Sequence, residues 1–383
     1  MQCLNDTPKA NRIHIAFFGL RNAGKSTLVN AFTGQNIAIV SDVAGTTTDP
    51  VSKAMEILPL GPCLVTDTAG LDDIGELGEM RVKKSFSVLA SSDIAVWVCG
   101  DDCEKDSKDT AEFKKFKSEC ERYGVSVLEY ARNENIEEFK KRVASVEISE
   151  QPKPLVGDMV ASGDTVLLVC PQDGSAPKGR LILPQQQVIR EILDAGAAAL
   201  VCQVETAAKI VENKVPCRFA IVDSQVFGKV ASILPDEIPL TSFSVLFARA
   251  KGDLSVYCAG LQALENLQDG DIVLVAEGCA HHRQCGDIGT VKIPRAIGKI
   301  TGKDLQFKFC SGTDFPFGEY KPKLVVQCGG CMLTRREMLR RISVVQAAGV
   351  PITNYGLVLA AANGIEVDHE TCMAKVSGQK VQT

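Results

Sequence analysis

The chain has 383 residues, of which 45% are hydrophobic, and its formal net charge is −5. Such a length exceeds what one ordinary hydrophobic core fills, so we expect two or three packed domains. The negative charge argues against nucleic acid as the main partner, and no apolar run is long enough to predict a membrane span. No signal peptide is visible, so the 15 cysteines are expected in a reducing cytoplasm, where such a count indicates metal-binding thiols.

A phosphate-binding loop comes early in the chain, between an apolar run and a segment with helical spacing. It reads G-x-x-x-x-G-K-S, a P-loop, in which glycines let the backbone wrap a phosphate at the N-terminus of a helix. Lys25 is expected to reach the β- and γ-phosphates, and the Ser26 hydroxyl to ligate Mg²⁺. The sequence therefore predicts a nucleoside triphosphate site made by Gly19, Asn22, Ala23, Gly24, Lys25, Ser26 and Thr27.

Two further motifs follow the P-loop in the order that a nucleotide switch requires. A threonine of Gly45-Thr-Thr-Thr-Asp49 can offer a hydroxyl to Mg²⁺ once the γ-phosphate draws this loop inward. The strand 63–67 ends in Asp67-Thr-Ala-Gly70, which places a carboxylate near Mg²⁺ and the Gly70 N–H near the γ-phosphate. Together these motifs predict a catalytic set that includes Lys25, Asp67 and Gly70.

This set of motifs resembles the translation-factor-related GTPases, which share G-T-T-x-D and D-T-A-G-L. The resemblance implies GTP as the nucleotide, Thr47 as a Mg²⁺ ligand and Asn22 as a ligand of an activating K⁺. Leu71 stands where Ras-like proteins keep a glutamine that orients the attacking water. By resemblance to one potassium-dependent relative, Glu79 is a candidate for that role, and the alternative for Glu79 is a solvated acid at a helix start.

The guanine-reading motif N-K-x-D is missing from its usual place after the next strand. The strands 94–98 and 125–130 are followed by a helix at 136–143, which leaves no room for a further strand and helix. Either that unit has been lost, or residues 131–135 form a degenerate base-reading loop. Guanine specificity therefore rests on the resemblance alone.

The rest of the chain predicts an α/β class with three domains. A Pro-containing polar linker near 147–154 ends a GTP-binding domain at 1–147, and an α/β dimerisation domain with a parallel sheet follows at 148–250. In this middle domain we expect 240–248 to be a strand, and the sheet to offer an edge or a helical face for pairing two copies. A third α/β domain, which carries paired cysteine motifs, is predicted at 251–383.

Cysteines follow two predicted strands of this last domain. The strand 271–276 runs into Cys279 and His281, and the strand 323–327 runs into Cys328-Gly-Gly-Cys331. A thioredoxin-like redox pair is one interpretation, a structural zinc held by these three cysteines and His281 is a second, and an iron–sulfur cluster is a third. The glycines allow backbone N–H groups to approach cluster sulfurs, which suits the third.

With Ala176–Pro184 in the middle, these features resemble the HydF family, the GTPase scaffolds of [FeFe]-hydrogenase maturation. The resemblance implies a [4Fe–4S] cluster on Cys279, Cys328 and Cys331, and a homodimer or tetramer. It further implies a diiron precursor built by the radical-SAM maturases HydE and HydG and passed to apo-[FeFe]-hydrogenase.

The family often has histidine where this chain has Gln327, a poor cluster ligand. The fourth iron is therefore expected to be open, bound to water, or held by His281, with His282 and Glu277 as further candidates. The competing function is a zinc-stabilised regulatory GTPase that acts on RNA or ribosomes.

Overall fold

The structure, a computed structural model, divides the chain into two compact units, Met1–Gln151 and Pro152–Thr383. No helix in the described part of the chain combines the length and the apolar character that crossing a membrane requires. The described residues are 7–34, 50–99, 110–132, 134–148, 153–172, 181–279, 287–312 and 315–376.

The first unit is a five-stranded sheet with the order β2-β3-β1-β4-β5. Strand β2 runs antiparallel to β3, and the other neighbours are parallel. Strands β1 and β4 are apolar and buried, as expected where helices cover both faces of a parallel sheet. The elements are β1 Ile13–Phe18, α1 Lys25–Thr33, β2 Val51–Ile57, β3 Gly61–Asp67, α2 Glu76–Ala90, β4 Ile94–Val98, α3 Ala111–Tyr123, β5 Ser126–Tyr130 and α4 Ile136–Ala144.

The second unit begins with an α/β stretch that we call the first half, residues 165–251. Its four parallel strands have the order β7-β6-β8-β9, and β9 also pairs antiparallel with β15 from the end of the chain. The elements are β6 Thr165–Val169, α5 Leu183–Asp194, β7 Ala198–Cys202, α6 Val204–Glu212, β8 Phe219–Val222, α7 Phe227–Ala231, β9 Leu240–Ser242 and α8 Phe243–Lys251.

A second α/β stretch, residues 272–363, is called the second half. Its parallel strands have the order β11-β10-β12-β13. The chain then returns to the six-stranded sheet as a terminal hairpin. The elements are α9 Leu254–Leu261, β10 Ile272–Ala276, α10 Ile293–Thr301, β11 Gln306–Cys310, α11 Phe317–Tyr320, β12 Leu324–Gln327, α12 Arg335–Ala347, β13 Ile352–Asn354, α13 Tyr355–Ala361, β14 Ile365–Val367 and β15 Ala374–Val376.

The two halves repeat one topology. In each, the first strand pairs with the second on one side and with the third on the other, and the third pairs with the fourth. The last strand and helix also agree in sequence, L-T-S-F-S-V-L at 240–246 and I-T-N-Y-G-L-V at 352–358. The registers make Val169, Cys202, Val222 and Ser242 equivalent to Ala276, Cys310, Gln327 and Asn354.

The predicted α/β class is confirmed, with two differences in the first half. The apolar run at 240–248 is a strand only as far as Ser242, whose hydroxyl accepts the Val245 N–H at 3.3 Å and starts α8. A short apolar run does not distinguish a buried strand from a buried helix. The sheet is also mixed, because the terminal hairpin adds antiparallel strands.

Candidate functional site

The P-loop joins β1 to α1 at the centre of the first sheet. Gly24 has a φ of 87°, which favours glycine, and α1 begins directly after it at Lys25. A Cβ at Gly19 would lie 2.7 Å from the Val98 carbonyl oxygen, so only glycine fits at the start of the loop. Ala23 is buried beneath the loop, whereas Thr27 is exposed. The loop therefore has the backbone that a phosphate cradle needs.

Lys25 lies inside this loop. Its Nζ donates to the carbonyl oxygens of Leu20 at 2.7 Å and Gly19 at 3.3 Å. Burial lowers the pKa of Lys25, and the nearby Asp67 carboxylate opposes this change. A buried ammonium held only by carbonyls is suited to exchange them for phosphate oxygens.

Ser26 and Asp67 meet where the resemblance expects Mg²⁺. The Ser26 hydroxyl donates to Asp67 Oδ2 at 2.6 Å, and burial raises the pKa of the Asp67 carboxyl. Asp67 Oδ1 is buried and has no hydrogen-bond partner among the described residues. A hard-oxygen donor set with an unsatisfied carboxylate oxygen fits Mg²⁺, and these two side chains would hold the ion directly or through water.

The D-T-A-G-L segment is tied to the P-loop through Arg21, which sequence reasoning missed. The Arg21 backbone N–H donates to Asp72 Oδ1 at 2.6 Å, and its guanidinium lies 3.7 Å from Asp73. Arg81 contacts Asp73 from α2 at 3.1 Å. A Cβ at Gly70 would lie 2.6 Å from the Arg21 Cγ, so only glycine allows this approach. The D-T-A-G-L segment and the two aspartates after it thus pack directly on the P-loop.

The other predicted nucleotide residues fall in three places. Asn22 is exposed and has a φ of 57°, uncommon outside glycine, which aims the tip of the loop outward. Glu79 is exposed in the first turns of α2, where its N–H donates to the Gly75 carbonyl. Thr47 lies outside the described residues. The roles assigned to these three residues stay predictions.

The segment between β5 and α4 starts a helix. The Asn135 side chain accepts the N–H groups of Glu137 and Glu138, so it is the N-cap of α4. The Tyr130 hydroxyl donates to the Glu134 carbonyl oxygen. The described part of 131–135 therefore offers no side chain arranged like the N-K-x-D motif.

In the second unit, the cysteines predicted to bind metal lie at adjoining strand ends. Strands β10 and β12 are parallel neighbours, so Cys279, after β10, and Cys328, after β12, lie at the same edge of the sheet. Burial raises the pKa of all three thiols, that of Cys331 to about 11, and the Cys328 and Cys331 thiols raise the pKa of Cys279 further. The fold therefore brings the three cysteines together. His281 lies outside the described residues.

Backbone donors surround the Cys328 sulfur. Its Sγ accepts the Gly278 N–H at 3.0 Å and the Gly330 N–H at 3.4 Å. A Cβ at Gly278 would lie 2.8 Å from the Leu333 Cγ, so the loop after β10 approaches closely because it has no side chain there. Thiols and N–H groups directed at a cysteine sulfur are the kinds of donor that an iron–sulfur cluster uses. Within the described ranges, no group of three or more histidine, cysteine, aspartate or glutamate side chains is arranged to hold a metal ion.

Gln327 does not act as a fourth ligand, because its side chain is fully engaged. Its Nε2 donates to the Ala276 carbonyl at 3.2 Å and to Cys328 Sγ at 3.5 Å, and its Oε1 accepts from Arg341 at 3.1 Å. Arg341 is 0% exposed and pairs with Glu337 at 2.9 Å. The glutamine therefore contacts the cysteine loop through Cys328.

Lys251 is a further residue at this site that sequence reasoning missed. It ends α8 in the first half, and its Nζ donates to three carbonyls of the cysteine loop, at Gly330, Cys331 and Leu333. Burial lowers its pKa to about 8, and the Cys331 and Cys328 thiols oppose that shift. No sequence signal marks it, because it precedes Cys328 by a whole α/β half.

Three family models match the chain, and together they span most of it. Residues 14–131 match the 50S ribosome-binding GTPase model, residues 155–252 match the hydrogen maturase F dimerization domain, and residues 255–368 match its tetramerization domain. The two maturase domains adjoin and follow a GTPase domain. The chain belongs to the HydF family. The GTPase domain of this HydF-family chain contains the P-loop, and the tetramerization domain contains all three cysteines.

Two curated relatives match a part of this HydF-family chain. The tRNA modification GTPase MnmE of Endomicrobium trichonymphae is 37% identical over 110 residues, which cover 27% of this chain and 23% of that protein. MnmE of Bacteroides thetaiotaomicron is 31% identical over 145 residues, which cover 37% of this chain and 30% of that protein. The chain thus spans a small part of the length of these relatives.

Solved structures with some likeness to the HydF-family chain include two of Era. One, in complex with MgGDPNP and nucleotides of 16S ribosomal RNA, is 14% identical, covers 50% of this chain and 92% of its own, and has a TM-score of 0.27. The other, a variant of Aquifex aeolicus Era bound to GDP.AlF4-, is also 14% identical, covers 78% and 92%, and has a TM-score of 0.27. Scores this low support no conclusion.

Proposed function

We propose that the chain is a GTP-hydrolysing scaffold and carrier that binds a [4Fe–4S] cluster, receives the diiron precursor of the [FeFe]-hydrogenase active site and delivers it to apo-hydrogenase. One observation carries the proposal. Cys279 and Cys328 follow adjoining strand ends inside the region that matches the hydrogen maturase F tetramerization domain, Cys331 lies in the same loop as Cys328, and backbone N–H groups are directed at the Cys328 sulfur.

Cys279, Cys328 and Cys331 would hold the cluster, whose fourth iron, without a thiolate, supplies a position for a second metal fragment. Gln327 leaves that position free, because Arg341 and the Ala276 carbonyl engage its polar atoms. His281 is the protein group that we propose to reach the fourth iron between cargo transfers, and Glu277, which is buried at the end of β10, is the alternative.

Nucleotide chemistry belongs to the first unit. Lys25 would bind the phosphates, Ser26 and Asp67 would hold Mg²⁺ with Thr47, and Asn22 would hold K⁺. Glu79 would orient the attacking water, and Gly70 would donate its N–H to the γ-phosphate. We propose slow, K⁺-stimulated hydrolysis whose role is regulatory. If Asn22 binds K⁺, K⁺ accelerates hydrolysis over Na⁺ and Asn22→Ala removes the difference; equal rates in the parent protein would exclude this role.

Association is proposed to use the first half. Strand β7 is the free edge of the six-stranded sheet, its residues are apolar, and Val201 on it is 41% exposed. An exposed apolar edge strand is suited to pair with its copy in a homodimer, and the tetramerization domain supplies the second contact of a tetramer. HydE and HydG are the proposed donors of the precursor.

We also propose a cytoplasmic location. Cysteines that the structure describes outside disulfides, among them Cys279, Cys328 and Cys331, suit a reducing compartment.

The test loads the anaerobic full chain with iron, sulfide and synthetic diiron precursor and then adds apo-hydrogenase. Apo-hydrogenase that has been mixed with the loaded parent chain is expected to evolve hydrogen. Cys328→Ser is expected to abolish cluster loading and hydrogenase activation while GTP hydrolysis in the first unit stays near the parent rate. Activation by Cys328→Ser at the parent level would contradict the proposal.

A zinc-stabilised regulatory GTPase acting on RNA is the second candidate, favoured by the 37% identity over 110 residues to a tRNA modification GTPase. That match covers 27% of the chain. Stoichiometric zinc and specific tRNA binding would favour this candidate.

A further inference from the structure

Lys251 is a buried cation that reaches from one α/β half into the other. It is the last residue of α8, and only 8% of it is exposed. Its Nζ lies 3.3 Å from the Gly330 carbonyl oxygen, 3.1 Å from that of Cys331 and 2.8 Å from that of Leu333. The ammonium thus donates all three of its N–H groups to carbonyls of the loop that carries the C-x-x-C motif.

No carboxylate balances this charge in the described part of the chain. Besides the three carbonyls, Lys251 contacts the face of the Phe247 ring at 5.5 Å, and the acidic groups beside it within the described ranges are the Cys331 and Cys328 thiols. Arg341, another buried cation near the cysteines, has Glu337 at 2.9 Å. Burying a charge without a counter-ion costs free energy. We therefore expect an anion to lie at the cysteines beside Lys251.

Because the two halves repeat one topology, Lys251 can be compared with the equivalent residue of the second half. Asn363 follows Asn354 by the same nine positions that separate Lys251 from Ser242, so the two residues are equivalent. Asn363 also reaches into the opposite half, because a Cβ at Gly228 would lie 2.6 Å from its Oδ1. Gly228 is in turn the equivalent of Leu333, since each follows its strand end by six positions. In both halves, the residue at this position therefore reaches into the opposite half. It is charged only in the first half, where it contacts the cysteine loop.

We propose that Lys251 is a positioning residue of the cluster site, which fixes the Gly330–Leu333 loop and stabilises the negative charge of the cluster and its thiolates. The inference rests on the proposed cluster. Because a reduced cluster carries one more negative charge, the positive charge of Lys251 favours reduction and raises the midpoint potential. The first half thereby contributes to a site whose ligands all lie in the second.

The experiment compares four substitutions in the anaerobically reconstituted full chain. Lys251→Met removes the charge and the donors, Lys251→Gln removes the charge but keeps a donor, and Lys251→Arg keeps the charge. Lys299→Met is the matched control, since its exposed ammonium also donates to a carbonyl, that of Ala362 at 2.7 Å. Iron and sulfide content, circular dichroism and the cluster midpoint potential, from an EPR-monitored redox titration, are measured for each.

We expect the two neutral Lys251 variants to shift the midpoint potential to more negative values, and Lys251→Arg and Lys299→Met to keep that of the parent. If Lys251→Met does not fold, the midpoint potential of Lys251→Gln tests the proposal. Loss of iron from folded neutral variants, with iron retained by Lys251→Arg, would also support the proposal. Unchanged potentials in the iron-loaded neutral variants, or loss of iron from folded Lys251→Arg as well, would overturn it. A parent chain without iron would instead refute the proposed function.

Discussion

The two α/β halves of the second unit share one strand order and one set of registers, yet different types of residue follow the ends of their central strands. In the second half, Glu277 follows β10 and Cys328 follows β12; in the first half, the equivalent positions are Cys170 and Asp223. The free edges differ as well, since β7 is apolar whereas β11 exposes Gln306 and Lys308. Parallel topology brings these strand ends and edges together in both halves, and the residues placed there decide what each can bind.

The largest effect that separates the halves is expected from their cysteines. Cys331→Ser should remove nearly all bound iron, because a cluster needs its thiolates. Cys170→Ser, at the central strand end of the first half, should leave the iron content unchanged. Colorimetric iron and sulfide assays on both variants check this, and equal losses from both would show that the cluster does not belong to the second half alone.

Helix α9, which precedes the second half, packs directly against β13, the last strand of that half. A Cβ at Gly260 in α9 would lie 1.9 Å from the Ile352 carbonyl oxygen, so Gly260→Ala forces the helix away from β13. We expect the free energy of unfolding of the second unit to fall by about 2 kcal/mol or more.

Gly298 is the matched control for that change, since a Cβ there meets nothing within 4 Å. Gly298→Ala in α10 should stabilise the unit by roughly 0.5–1 kcal/mol, because alanine favours the helix. Urea unfolding of both variants measures the difference. A Gly260→Ala variant as stable as the parent chain would exclude this contact as a determinant of the packing.

The smallest expected effect concerns the edges. Val201→Lys places a charge on the apolar edge of β7 and should weaken the proposed dimer by about tenfold or more, whereas Lys308→Glu on β11 should leave it intact. Analytical ultracentrifugation over a range of concentrations measures the dimer. Dimers that survive Val201→Lys unchanged would place the interface on another surface.

Apolar runs predicted most of the sheet, because a strand buried on both faces is hydrophobic throughout. They failed at β2 and β11, where polar residues interrupt the apolar ones, and at α8, whose apolar start resembles a strand. The repeat of the two halves also escaped sequence reasoning. It is evident from the strand order and registers, because only the short 240–246 and 352–358 stretches agree closely.

The site was predictable where its residues are close in sequence. The P-loop and C-x-x-C spacings located Lys25, Ser26 and the cysteines, because those chemistries depend on local backbone geometry. Lys251, Arg341 and the Arg21–Asp72 contact were missed, because tertiary packing alone brings them to the sites. The boundaries predicted at 147/148 and 250/251 stay predictions.

Metal analysis of the anaerobically purified chain tests most directly the claim that the second half holds a cluster. We expect about four irons and four sulfides in each chain, with the absorption and EPR signals of a [4Fe–4S] cluster and without stoichiometric zinc. One zinc per chain with no sulfide would contradict the account.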